Sequence, residues 1–268
     1  MGMRKVISIC ADDFGQDQAI DSSIVELLAS KRLSGTSCLV DGRSFQVSVP
    51  SLRQAPGQKG LHLNFTERLS DSSQAIWPLK KLIVLAYLRC LPIEKIKASI
   101  AHQLDLFERH MQQVPDYIDG HQHVHQLPQI RELLLAQIEQ RYAANPPWLR
   151  YTGAERINTP EGRSKATVKP RIIAALGATE LARLAIAKRV TMNAAFTGVY
   201  DFSGGREAYA QWVQYWLSLM QHGDTMMCHP ATQSVEGDVL GAQRVAEYEV
   251  LKSAQMRQWL AQHELTLA

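Results

Sequence analysis

The 268-residue chain has no dense run of one charge: 29 lysines and arginines stand against 26 aspartates and glutamates, a formal net charge of +3. The basic residues are spread along predicted helices and make no stripe, which argues against nucleic acid as a partner. The four cysteines, Cys10, Cys38, Cys90 and Cys228, form no CxxC pair, so neither a zinc ribbon nor a redox dithiol is suggested. Three of them sit in apolar stretches, as buried free thiols do, which points to a reducing compartment. Long apolar runs are also missing. The longest, residues 82–88, stops at Arg89, far short of the roughly 20 residues of a spanning helix. No secretory signal is visible, because only residues 6–10 separate Arg4 and Lys5 from the acidic pair Asp12 and Asp13. Gly2 does not open a myristoylation motif, since Val6 stands where Ser or Thr is required. The expected location is the cytoplasm. There is no Gly-x-Ser-x-Gly elbow, no P-loop and no GxGxxG turn.

What the chain does have is alternation. Apolar residues make up 46% of it, enough for a large core. Short apolar or β-branched runs at 6–9, 36–40, 61–64, 117–119, 148–151, 191–195, 225–228 and 265–267 read as strands. Between them lie helical stripes, of which Ile93, Ile96, Ile100, Leu104, Phe107 and Met111 is the clearest. Strand–helix units in this order predict an α/β fold, a distorted (β/α) TIM-like barrel with seven or eight parallel strands. No internal boundary is visible, so residues 1–268 are expected to form a single domain. Residues 159–169 read as a polar, basic loop over one end.

Four short segments could carry chemistry. In Cys10-Ala11-Asp12-Asp13-Phe14-Gly15, two adjacent carboxylates follow a buried strand, and Gly15 permits a bend that would bring both into one cleft. Such a pair suggests a cation or a shared proton. The plainer alternative is a helix cap at Asp13 or Asp17. In Gly60-Leu61-His62-Leu63-Asn64, His62 alternates with apolar residues; alone, it reads more readily as a core histidine than as a ligand. In Asp119-Gly120-His121-Gln122-His123-Val124-His125, an extended chain would place His121, His123 and His125 on one side. The alternative is a polar surface turn. In Met227-Cys228-His229-Pro230, His229 closes a strand and Pro230 ends its ladder.

All four segments sit at the C-terminal ends of predicted strands, the end that carries the active site in barrels and open α/β sheets. The fitting chemistry is a mononuclear divalent metal held by one carboxylate and two imidazoles, with positions open for water and substrate. A second carboxylate would take a proton from water, and a histidine across the cleft would protonate a leaving amine.

These four ordered motifs resemble the YdjC-like family, which includes chitooligosaccharide deacetylases and hopanoid biosynthesis-associated deacetylases. The resemblance runs from the first strand past residue 230. It implies a distorted barrel, a divalent cation, Mg²⁺ or Zn²⁺, and hydrolysis of an N-acetyl group with release of acetate. Carried onto this chain, it makes Asp13, His62 and His125 the metal ligands, Asp12 the general base and His229 the general acid. His121 and His123 would stand behind the metal ligands or touch substrate, and Arg150 would contact a sugar or a developing oxyanion. The implied substrate is an N-acetylated amino sugar or a glycolipid. Residues 169–189 place an apolar face beside Lys169, Arg171, Arg183, Lys188 and Arg189, which allows a peripheral membrane contact or a lid. With Pro170 and Gly177, this segment could also be two shorter helices. Trp77, Leu79, Leu82 and Ile83 could serve a partner, such as a second copy in a homodimer, or simply cover the barrel. Competing classes are an Fe(II) oxygenase, an amidohydrolase or other metal-dependent hydrolase, and a sugar-binding protein with a structural metal.

Overall fold

Eight strands form the sheet: β1 (Lys5–Phe14), β2 (Gly35–Cys38), β3 (Gln58–Leu63), β4 (Tyr117–Gly120), β5 (Trp148–Leu149), β6 (Phe196–Thr197), β7 (Thr225–Cys228) and β8 (Leu265–Leu267). The structure is a computed structural model and describes residues 5–69, 75–153 and 165–268. Seven strands run in the order β5-β4-β3-β2-β1-β7-β6, and β8 pairs with the start of β1. Every pairing is parallel. Parallel neighbours need crossover connections, and the alternating helical stripes provide them.

The two outermost strands approach each other through the run that leads into β6. Met192 forms a parallel bridge with Leu149 of β5, and Leu149 donates its backbone N–H to Thr191 O at 2.9 Å. Asn193 staples this seam: its amide donates to Tyr151 O and Ala195 O at 2.9 and 2.8 Å and accepts from Tyr151 N at 2.7 Å. The sheet thus curls into the distorted TIM-like barrel. A strand expected at 191–195 begins only at Phe196, because side-chain bonds from Asn193 replace the ladder there.

The helices are α1 (Gln18–Ala29), α2 (Phe45–Gln54), α3 (Leu79–Tyr87), α4 (Ile93–Met111), α5 (Ile130–Tyr142), α6 (Lys165–Ala175), α7 (Ala178–Ala187), α8 (Gly205–Leu219), α9 (Gly241–Lys252) and α10 (Ala254–Gln262). In α4 the stripe from Ile96 to Met111 is buried against the core. The 169–189 segment is two helices, split at Gly177. Its φ is +130°, and a Cβ there would lie 2.3 Å from Gln126 O, so only glycine fits. The expected loop over 159–169 falls mostly outside the described residues, and α6 already begins at Lys165. Leu82 is fully buried, and Trp77, Leu79 and Ile83 pack on the core, so these four cover the barrel.

Candidate active site

The two adjacent carboxylates reach one cleft through a bulge. Ala11 pairs with Thr36 and Phe14 with Cys38, so β1 carries one residue more than β2 over this stretch. Asp13 takes up the difference with φ +70°, a left-handed conformation that costs a non-glycine residue energy and tends to persist where function holds it. Helix capping falls to Asp17, which accepts from Ala19 N at 2.8 Å. Both Asp12 and Asp13 are buried.

Asp13 Oδ1 lies 3.5 Å from His62 Nε2 and 3.1 Å from His121 Nδ1. The donor atoms of these three side chains all lie within 4.8 Å of one another. The opposite nitrogen of each ring lies near a carboxylate, hydrogen-bonded in His62 and at ion-pair distance in His121. His62 Nδ1 lies 2.6 Å from Asp119 Oδ1 and 3.1 Å from Ser37 Oγ. His121 Nε2 lies 2.9 Å from Glu67 Oε2. A carboxylate behind an imidazole fixes its tautomer and turns its free nitrogen toward the cleft, as in metal-ligating histidines. The remaining oxygen of Asp13, Oδ2, is held by Arg244 Nη2 at 2.8 Å, and Arg244 Nε is paired with Asp238.

Asp12 faces a different partner. The Arg150 guanidinium binds it bidentately at 2.6 and 2.7 Å, and also reaches Asp119 Oδ2 at 2.7 Å. Arg150 is fully buried, with its guanidinium 5.7 Å from the Phe196 ring centroid and 6.0 Å from that of Tyr117. It therefore orients Asp12 and Asp119 and has no face toward solvent. Asp12, His62 and Asp119 form a second cluster that shares His62 with the first.

The electrostatics follow from these contacts. Burial alone would raise the Asp12 carboxyl, but Arg150 and His62 outweigh it and hold Asp12 below its ordinary value. Asp13 is likewise held well below, by Arg244, His121 and His62 acting against burial. Burial disfavours a charged His62, yet Asp119, Asp13 and Asp12 push it up to about 10. His121 rises to about 9, where burial is outweighed by Asp13 and Glu67.

The rest of the histidine run is not extended. It forms a 3₁₀ turn over His121–Gln126, with Gln122 and His123 in left-handed conformations, so the three histidines diverge. Where the sequence pointed to His125 beside Asp13 and His62, the structure brings His121. His125 Nε2 lies 2.9 Å from Arg150 O, and its Nδ1 is buried without a hydrogen-bond partner. Burial pushes it down to about 4. His123 packs edge-on against Phe196 at 5.7 Å and is also driven down by burial. His229 sits across the cleft, its backbone N–H donating to Glu247 at 2.6 Å and its ring edge-on to Phe202 at 5.2 Å. Burial lowers it to about 4 against the pull of Asp13 and Asp12. No thiol competes as nucleophile here: burial pushes Cys10 up to about 12 and raises Cys38 and Cys228 as well.

Asp119, Glu67 and Arg244 are the functional positions that the sequence reading passed over. Asp119 had a signal, since it lies near the end of β4, just ahead of His121. Arg244 had none, for only the fold brings it to a carboxylate 231 positions away.

A parallel β/α barrel with a carboxylate and two imidazoles converging at its C-terminal end, and a second carboxylate beside them, defines a class of barrel whose site has the donor atoms to hold a cation. The model of the YdjC-like protein family matches residues 6–262, and the chain belongs to that family. It is similar to a carbohydrate deacetylase of Mus musculus, 25% identical over 97% of this chain and 92% of that one. A chitooligosaccharide deacetylase of Escherichia fergusonii is 29% identical over 48% of this chain and 53% of its own. Among solved structures, a protein of Enterococcus faecalis V583 titled as a cellobiose-phosphate cleavage protein shares the fold, with a TM-score of 0.69, 21% identity, and coverage of 99% and 97%.

Proposed function

We propose that this protein is a metal-dependent hydrolase that removes the N-acetyl group from an amino sugar, free or carried on a lipid, and releases acetate. The observation that carries the reading is the convergence of Asp13 Oδ1, His62 Nε2 and His121 Nδ1, with Asp12 beside them. The family and the names of its relatives support the same chemistry.

The donor set fits a divalent cation such as Mg²⁺ or Zn²⁺. Four carboxylates with buried side chains, Asp12, Asp13, Asp119 and Asp238, meet two buried guanidinium groups, Arg150 and Arg244, which leaves two negative charges over before the histidines are counted. The field that raises His62 and His121 as bases favours positive charge at the same place. Asp13, His62 and His121 would hold the cation, which, when bound, polarises an amide carbonyl and makes water acidic enough to attack it at neutral pH.

The chain's own residues do the rest. Asp12, fixed by Arg150 and Ser37, accepts the proton of the attacking water. Its pairing with Arg150 keeps it ionised and keeps it from swinging onto the cation. His229 is placed to pass a proton to the leaving nitrogen; burial keeps its ring neutral at rest, so it must first take that proton up, which Asp13 and Asp12 favour. Phe202 packs edge-on against the His229 ring, and His123 against Phe196.

The test is acetate release from N,N′-diacetylchitobiose before and after chelation, with metal added back. Release that stops and returns with the metal supports the reading. Binding of the sugar without release, metal present, would make the protein a carbohydrate-binding module.

A further inference from the structure

Five of the eleven large apolar side chains exposed among the described residues lie on, or directly cap, two helices, α3 and α6. On α3, Val84, Tyr87 and the capping Leu88 are 55%, 50% and 67% exposed, while Leu82 and Ala86 on the opposite side are buried. On α6, Val168 and Ile172 are one turn apart and both exposed, while Pro170 is buried. The two outward stripes join where Tyr87 Oη donates to Ala175 O. The sequences of both helices, LKKLIVLAY and KATVKPRIIAA, contain no acidic residue. Lys80, Lys81 and Arg171 are exposed beside the apolar side chains.

We infer that the joined outer faces of α3 and α6 dock on an anionic lipid bilayer. A contiguous apolar patch marks an interaction surface. Cations around it match a negatively charged interface, with the apolar side chains entering the headgroup region. A second copy of the chain fits less well. A two-fold contact through this face would set Lys80, Lys81 and Arg171 against their own equivalents. The placement also has a consequence for access. α3 lies in the connection leaving β3 and α6 in the connection leaving β5, and the bond from Tyr87 to Ala175 ties the first helix to the second. Gln126, at the end of the histidine turn, donates to Ile173 O of α6 at 2.7 Å, so the inner side of α6 rests on the segment that presents His121. Docking sets the cleft beside the bilayer surface. It needs none of the catalytic assignments to hold.

The test is co-sedimentation of the full chain with vesicles of phosphatidylcholine alone and of phosphatidylcholine with phosphatidylglycerol. The expected result is binding to the anionic vesicles only, weakened by added salt. The Leu88→Asp, Ile172→Asp double variant should lose binding with an unchanged melting temperature. Each of Lys80→Glu, Lys81→Glu and Arg171→Glu should weaken binding about fivefold or more. Failure of the wild-type chain to bind anionic vesicles at low salt would overturn the inference. So would undiminished binding by the double variant. A concentration-dependent dimer that Leu88→Asp dissociates, without vesicle binding, would assign the face to a second copy instead.

Discussion

The half of the barrel made by β1 to β4 and the half that closes it through β5 and β6 are built differently. The first has strands of 10, 4, 6 and 4 residues, and it supplies Asp12, Asp13, His62 and Asp119, with His121 just beyond β4. The second has two strands of 2 residues each and a seam held by Asn193. It supplies Arg150, the helices α6 and α7, and Phe196 and Val199, which pack with Met227 of β7. Long paired strands fix charged groups to within hydrogen-bond tolerances, which a cation site requires. The short-strand half carries α6, whose inner side rests on the histidine turn and whose outer face is exposed. One half carries the carboxylates and imidazoles, and the other supplies the guanidinium that clasps Asp12.

Substitutions can break this division. The largest effect is expected on the charged side, where Asp13→Ala, His62→Ala or His121→Ala should abolish both cation binding and turnover. Calorimetric titration with the metal and an acetate assay read the two separately. Asp12→Asn should separate them, keeping the cation while lowering kcat by about 10²–10⁴-fold. Unchanged turnover in Asp12→Asn would remove it as the base. Next come the groups behind the ligands. Asp119→Asn and Arg244→Gln should each weaken cation affinity by about 10–100-fold, because each loses the hold on one ligand's orientation. His125→Ala should leave that affinity unchanged.

Much of this was readable before any coordinates. The helical stripe of α4, the strands at β4 and β7, and the placement of every motif at a strand's C-terminal end follow from periodicity alone. The meeting of Asp12 and Asp13 in one cleft was expected from a bend at Gly15; that an extra residue in β1, with Asp13 left-handed, produces it was not readable from alternation. Nor was the turn at His121–Gln126. An i, i+2 spacing suggests one extended face, whereas left-handed Gln122 and His123 rotate the histidines apart. Arg244 in the site and Asn193 at the seam act through contacts between distant segments, which no local pattern encodes.

Smaller effects are expected on the closing side. Asn193→Ala should destabilise the fold by about 1–3 kcal/mol through buried backbone groups left unpaired, with cation affinity unchanged. A chemical denaturation series reads the first and calorimetry the second. Glu247 gives the subtlest signature. Burial raises its carboxyl to about 7, although His229 N–H and Tyr200 Oη both donate to it. A carboxyl raised on folding contributes stability that is fully present below its unfolded pKa and is lost as the pH rises through about 7. Denaturation midpoints should therefore drop as the pH rises from 4.5 to about 7, the span between the ordinary and the raised value, and Glu247→Gln should flatten the drop.

The most direct measurement is anomalous diffraction from crystals soaked with a divalent cation. The cation is predicted on Asp13, His62 Nε2 and His121 Nδ1, with Asp119 still on His62 Nδ1 and Arg150 still clasping Asp12. A cation bound by Asp12 and Asp119 with Arg150 displaced, or one ligated by His125, would contradict the assignment at its centre.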